Sequence, residues 1–230
     1  MDVRVISIGA LSAHPLRGER APVRAGHATT TLIQAGAHRI LIDPGLPAHG
    51  LVARLDERAG LKPPDITHIF LTTFNPETRR ALLAFENATW WISAVERDHI
   101  GAALVAKLHE AAEEEDAKLR ELLAHDIALL QRCEPAPDHL ADERGERVDL
   151  FPMPGVTPGL TGLIIAGSRH TTVIAGDAIP TCEHLEQGMV LPTVHDLDKA
   201  RESFAEAVEI ADLIIPGRDN LTLNPTKRPF

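Results

Sequence analysis

Thr73, Asn75, Glu77 and Thr78 crowd into the stretch Leu71-Thr72-Thr73-Phe74-Asn75-Pro76-Glu77-Thr78-Arg79-Arg80, which follows the apolar run Ile66 to Phe70. A strand, a polar turn and then a helix is the usual way to hold functional side chains at the end of a sheet. Hydroxyl and amide oxygens hydrogen-bond well but are weak ligands for zinc, so Glu77 is the one strong donor of the turn. Further along, Asp177 closes Ala175-Gly176-Asp177, and Arg218 follows Pro216-Gly217. A planar guanidinium bridges carboxylates with paired hydrogen bonds; failing that, Arg218 and Asp219 merely cap a loop. Other chemistries are poorly served. Ser7, Ser12, Ser93, Ser168 and Ser203 lack a nucleophile-elbow setting. The glycines of Pro154 to Gly162 lack the Lys-Ser/Thr ending of a phosphate loop. Asp56-Glu57 and Glu183 with Glu186 read as solvated helix faces.

The elements that position these residues follow from apolar spacing. Val3 to Ile8 alternates as a first strand, and Gly9 to Gly26 is a polar connection. Ala28 to Gln34 and Arg39 to Asp43 form a hairpin about Ala35-Gly36-Ala37-His38, ended by Pro44-Gly45. Leu51, Val52 and Leu55 give His49 to Ala59 a helical period, with Gly60 and Pro63-Pro64 stopping it. Asp65 to Phe70 is a buried strand, Arg79 to Glu86 a short helix, and Ala88 to Ser93 a strand. In that strand Trp90 and Trp91 face opposite ways. Ala94 to Arg132 is the longest helical region, interrupted by the charge run Glu113 to Asp116. Cys133 to Arg147 reads as a flexible connection. Val148 to Met153, Leu163 to Ala166, Thr171 to Ala175 and Asp212 to Ile215 are strands, and Asp198 to Ile210 is an amphipathic helix.

Asp43-Pro44-Gly45 and four later segments, placed after these strands, resemble in order the metallo-β-lactamase superfamily. Asp43-Pro44-Gly45 matches its opening, whose aspartate supports the metal-site turn. The turn at Thr73 to Thr78 has the spacing of T-H-x-H-x-D-H. Thr157 to Gly162 stands where the family reads T-P-G-H-T-P-G, and Ala175 to Asp177 matches its G-D, the aspartate that bridges two metals. Ile214 to Asp219 matches I-V-P-G-H-D. The resemblance implies an αββα four-layer sandwich over residues 1–230, two mixed sheets face to face with helices outside. It also implies a zinc, iron or manganese pair that generates a hydroxide. Carried over singly, the first-site ligands become Thr73, Asn75 and Leu160, and the second-site ligands Glu77, Thr78 and Arg218. Asp177 alone keeps a family ligand. Leu160 has no donor atom and Arg218 repels a cation. Metal could return only through other histidines, of which His27, His184 and His195 are candidates.

The expectation is therefore a degenerate cleft without metal or other cofactor, lined by Asp43, Thr73, Asn75, Glu77, Thr78, Leu160, Asp177 and Arg218. Without ions, Asp177 and Glu77 would repel each other, and Arg218 would neutralise them. The expected function is that of a pseudo-hydrolase binding a small molecule or partner protein. The alternatives are a hydrolase of an ester, thioester or lactone with a non-standard metal site, and a structural subunit of a homo-oligomer. A net charge of -10 over 230 residues disfavours nucleic acid. No run approaches the roughly 20 apolar residues of a membrane span. Two distant cysteines, Cys133 and Cys182, read as reduced structural thiols of a cytoplasmic protein.

Overall fold

Side-chain alternation along short apolar strands sorts the core into three layers, and the strand ends then fix the site. The structure, a computed structural model, describes residues 1–113, 116–143 and 145–227. β1 (Asp2–Ser7), β2 (Thr30–Ala35) and β3 (His38–Ile42) pair antiparallel. α1 (Ala48–Ala59) ends on Gly60 at a left-handed φ of 64°, a conformation that costs glycine nothing. β4 (His68–Leu71), α2 (Pro76–Arg79) and β5 (Thr89–Ile92) follow, with β3, β4 and β5 parallel. α3 (Ala94–Glu113) and α4 (Ala117–Arg132) pack on each other, and β6 (Glu134–Pro135) closes the sheet in the order β1-β2-β3-β4-β5-β6. β7 (His139–Glu143), β8 (Glu146–Pro152), β9 (Thr161–Ala166) and β10 (Thr171–Gly176) form an antiparallel meander. α5 (Cys182–Gln187) and α6 (Leu197–Ile210) lead to β11 (Leu213–Pro216), parallel to β10, with β12 (Thr222–Leu223) at the edge. Among the described residues the second sheet runs β12-β11-β10-β9-β8-β7.

Successive strand residues point to opposite faces. In β3, Ile40 and Ile42 enter the layer between the sheets while Leu41 faces α1; in β4, Phe70 faces inward and Ile69 and Leu71 outward. Ile174 and Ile215 complete the central layer from the second sheet. Their neighbours Val173, Ala175 and Ile214 pack outward with Phe204 and Ala207 of α6. Trp90 is buried in the outer layer and donates from its indole N–H to the Phe85 carbonyl (2.9 Å). Trp91 faces the inter-sheet layer, stacked on His68 at 4.0 Å. Helices outside two facing mixed sheets make the expected αββα sandwich. No described helix is long and apolar enough to cross a membrane.

Two expectations are corrected. The helix expected over Arg79 to Glu86 is instead α2, starting at Pro76, and a separate 3-10 turn, Leu82–Phe85. Pro76 fixes the φ of a first helical turn and places that start three residues early. Cys133 to Arg147 is not a loose connection, since β6 and β7 both pair there. These are short, charged edge strands, one shifted in register at His139/Ala141, so they lack a clean alternating pattern. Of the charge run, Glu114 and Glu115 lie outside the described residues, while Asp116 caps α4 by accepting from the Leu119 N–H (2.9 Å).

The parallel pairs β3/β4 and β10/β11 end on the same side as their polar successors, Asp43, Thr72, Asp177 and Arg218. The carboxyl ends of parallel strands are where such sheets place functional loops.

Candidate functional site

Arg218 occupies the centre of this edge. Its Nε and Nη2 donate to Oδ1 and Oδ2 of Asp177, both at 2.7 Å, and its Nη1 donates to Oε2 of Glu77. The side chains of Arg218 and Asp177 are 4% and 7% exposed and that of Glu77 is 32% exposed. Burial opposes the guanidinium charge, but Asp177 and Glu77 outweigh it and raise the Arg218 pKa. The ion pair expected from the sequence is thus present, with Glu77 included. Close approach is built in at Gly217, where a Cβ would fall 2.5 Å from the Gly176 carbonyl carbon and 2.8 Å from Oδ1 of Asp177.

Asp43 supports the turn from beneath. It sits at a left-handed φ of 49°, where its Oδ1 accepts from the Thr72 N–H (2.9 Å) and its Oδ2 from the Thr72 hydroxyl (2.7 Å). Burial pushes its carboxyl up to about 7, against the pull of the two Thr72 bonds. Thr78 folds back on the turn, donating its hydroxyl to the carbonyls of Thr73 (2.7 Å) and Asn75 (2.8 Å). Thr73 is wholly buried, and its hydroxyl has no partner among the described residues. Asn75 is half-buried. Leu160 is wholly buried and packs in the outer core with Met153, Val173 and Ile179.

Hence six of the eight expected cleft residues (Asp43, Thr73, Thr78, Leu160, Asp177 and Arg218) are buried, and only Asn75 and Glu77 reach partial exposure. The centre is a closed network rather than an open trough. The three histidines stand elsewhere. The ring nitrogens of His27 lie 3.1 Å from the Ile8 carbonyl and 3.3 Å from that of Ala25. His184 is fully buried, with Nδ1 2.8 Å from the Thr181 hydroxyl. Exposed His195 meets His99 edge-on at 5.5 Å. Among the described bonds none joins His27, His184 or His195 to Asp177, Glu77 or Arg218.

Two residues of this region went unseen in the sequence. Thr72 is the partner of Asp43. Glu96, wholly buried in the first turn of α3, accepts from the Phe74 N–H (3.2 Å) and the Thr157 hydroxyl (2.7 Å). It thereby ties the Thr73 turn to the Thr157 loop, and burial raises its pKa. A signal existed. Ser93-Ala94-Val95-Glu96 is a capping-box pattern, and the Glu96 N–H does donate to the Ser93 hydroxyl (3.1 Å).

These donors do not fit a metal ion. Both Asp177 oxygens are taken by Arg218, a fixed positive charge stands in the centre, and Leu160 contributes only hydrocarbon. Among the described residues no three His, Cys, Asp or Glu side chains are grouped to hold one.

The metallo-β-lactamase superfamily model matches residues 23–215. No curated protein matches the chain. Among solved structures, AidC, a dizinc quorum-quenching lactonase, is 20% identical with a TM-score of 0.66, over 85% of this chain and 74% of its own. A Thermotoga maritima protein with the provisional name metallo-β-lactamase is 17% identical with a TM-score of 0.68, over 96% and 98%. An N-acyl homoserine lactone hydrolase, with N-hexanoyl-L-homoserine at its catalytic metal centre, is 20% identical with a TM-score of 0.57, over 86% and 84%. At these identities the likeness is one of fold, but the family match spans most of the sequence. The chain belongs to the metallo-β-lactamase superfamily.

Proposed function

We propose that this chain is a non-catalytic member of its superfamily, a pseudo-hydrolase that binds a small molecule or a partner beside the former metal centre. The observation that carries this reading is the Arg218 guanidinium bonded to Asp177 and Glu77. Hydrolysis in this fold needs a cation to acidify water. A guanidinium supplies charge but no open coordination position, and this one is saturated on the faces that meet the carboxylates. The two free thiols support a cytoplasmic setting.

A second reading is favoured by the names of the structural neighbours: a lactone, ester or thioester hydrolase with zinc, iron or manganese held by unusual ligands. It requires Arg218 to leave the buried Asp177 carboxylate and the half-buried one of Glu77. One experiment separates the two. Protein prepared without chelator is analysed for metal, then assayed on an acyl-homoserine lactone with zinc, manganese or ferrous ion added. We expect no stoichiometric transition metal and no metal-stimulated turnover. Stoichiometric metal accompanied by turnover overturns the proposal in favour of the second reading.

A further inference from the structure

Beside Arg218 lies a cavity of about 140 Å³ whose walls include His14, Arg17, Arg24, Thr181, Glu183 and Arg218. Its volume is that of a few water molecules or one small polyatomic ion. The wall carboxylates are each bonded through at least one oxygen. Glu183 accepts from Nε (3.0 Å) and Nη2 of Arg17 through Oε1, and its Oε2 stands 3.5 Å from Nε2 of His14. Asp219, also on the wall, accepts from the backbone N–H groups of Cys182 (3.1 Å) and Asn220 (2.8 Å).

The guanidiniums are not saturated. Each carries five N–H donors. Arg17 bonds through Nε and Nη2 and leaves Nη1 without a protein partner among the described residues. Arg24 bonds Glu19 and the Leu11 carbonyl through Nη1 and Nη2, leaving Nε. Arg218 has one hydrogen left on each of Nη1 and Nη2. His14 is 3% exposed, and its Nδ1 has no partner among the described residues. Nε2 of His14 and Nδ1 of His184 both approach the Thr181 hydroxyl, at 3.3 Å and 2.8 Å. A hydroxyl has one proton to donate, so it satisfies one imidazole as acceptor and receives from the other.

The cavity therefore has donors to spare and few acceptors left. We propose that it is a binding site for a small oxyanion, a phosphate or short carboxylate, held by Arg17, Arg24 and Arg218 with buried His14 also lining it. Oxyanion geometry suits this set, because guanidinium forks pair with carboxylate and phosphate oxygens, and such charge-assisted bonds are the stronger kind. Three guanidiniums outnumber the two bonded carboxylates, Glu183 and Asp219, on the wall, which favours an anion over a cation, and an apolar group would strand the free N–H donors. The proposal deepens the reading above, since it rests on Arg218 being a protein cation and not the neighbour of a metal.

The test is isothermal titration of the full chain in chelator with inorganic phosphate and, separately, acetate. Arg17→Gln and Arg24→Gln are the variants, because both side chains are partly exposed, and Arg54→Gln on the remote α1 is the control. We expect saturable binding of at least one anion, weakened about tenfold or more, roughly 1.4 kcal/mol, by Arg17→Gln and Arg24→Gln but not by Arg54→Gln. Which anion binds the tighter distinguishes the tetrahedral from the planar source. No saturable heat with either anion at tens of millimolar, or equal affinity in all four proteins, overturns the site. Because chelator is present throughout, its failure leaves the non-catalytic reading intact. Stoichiometric metal accompanied by turnover in the earlier experiment would overturn that reading separately.

Discussion

Arg218 carries a charge that no ordinary pH removes, so its worth depends on its partners. Truncating one member of a buried pair leaves the other charge uncompensated, at a cost of about 3–5 kcal/mol. Arg218→Ala is expected to lose that much in urea unfolding. Arg218→Met combined with Asp177→Asn and Glu77→Gln should recover a good part of it, since no buried charge is then left alone. Glu77→Gln alone should cost far less, because Glu77 is partly exposed to water. Asp43 gives the pH signature. Its folded pKa of about 7 stands above the roughly 3.9 of an unfolded aspartate. Between those values the folded state binds more protons, so stability falls as pH rises from about 4 through 7. His184 acts in the opposite sense: burial and the nearby His14 bring it down to about 4, so its share of stability rises between there and about 6.5. Comparing melting temperature against pH in wild type and Asp43→Asn isolates the first, and the falling component should vanish in the variant.

Among the elements, the loops following the strands do the positioning. Glu96 fastens the Thr73 turn to the Thr157 loop through one backbone and one side-chain bond. Glu96→Ala is expected to cost about 2–3 kcal/mol and to speed hydrogen exchange at the Phe74 amide, while exchange in the β9 and β10 ladder stays protected. Gly217→Ala should destabilise by about 2 kcal/mol or more, measured by the same unfolding, because its Cβ meets rigid backbone. The sequence made much of this legible. Asp43 and Asp177 directly follow an apolar strand and Arg218 comes two residues after one, so their common edge could be read from the order of the strands. Glu96 and Thr72 were harder, because each pairing includes a backbone N–H donor, Phe74 to Glu96 and Thr72 to Asp43, and backbone donors are the same in every sequence. His184 lay too close to a strand end to be excluded by pattern, and only the packing of His14 over it shows that it is enclosed. β7 was hidden by the charges that protect an edge strand from pairing with another chain. Burial of the centre was not legible at all, since it depends on how two sheets close over one arginine.

For the whole molecule, the match over residues 23–215 and the paired sheets fix the architecture, while the centre is filled by the Arg218 ion pair. Anything that binds only the folded state raises its stability by mass action. A metal-dependent member should therefore melt at different temperatures in chelator and in zinc. Here the two calorimetric traces are expected to superimpose, and a zinc-dependent rise in melting temperature would show that a cation still enters.

The guanidinium at the centre is attached to the chain it stabilises. A bound ion must arrive from solution, so the last step of assembly is second order and waits on supply. Arg218 arrives with β11, at an effective concentration set by the chain itself. Completion of this centre is a first-order event, indifferent to dilution and to metal starvation, and no competing chelator can reverse it.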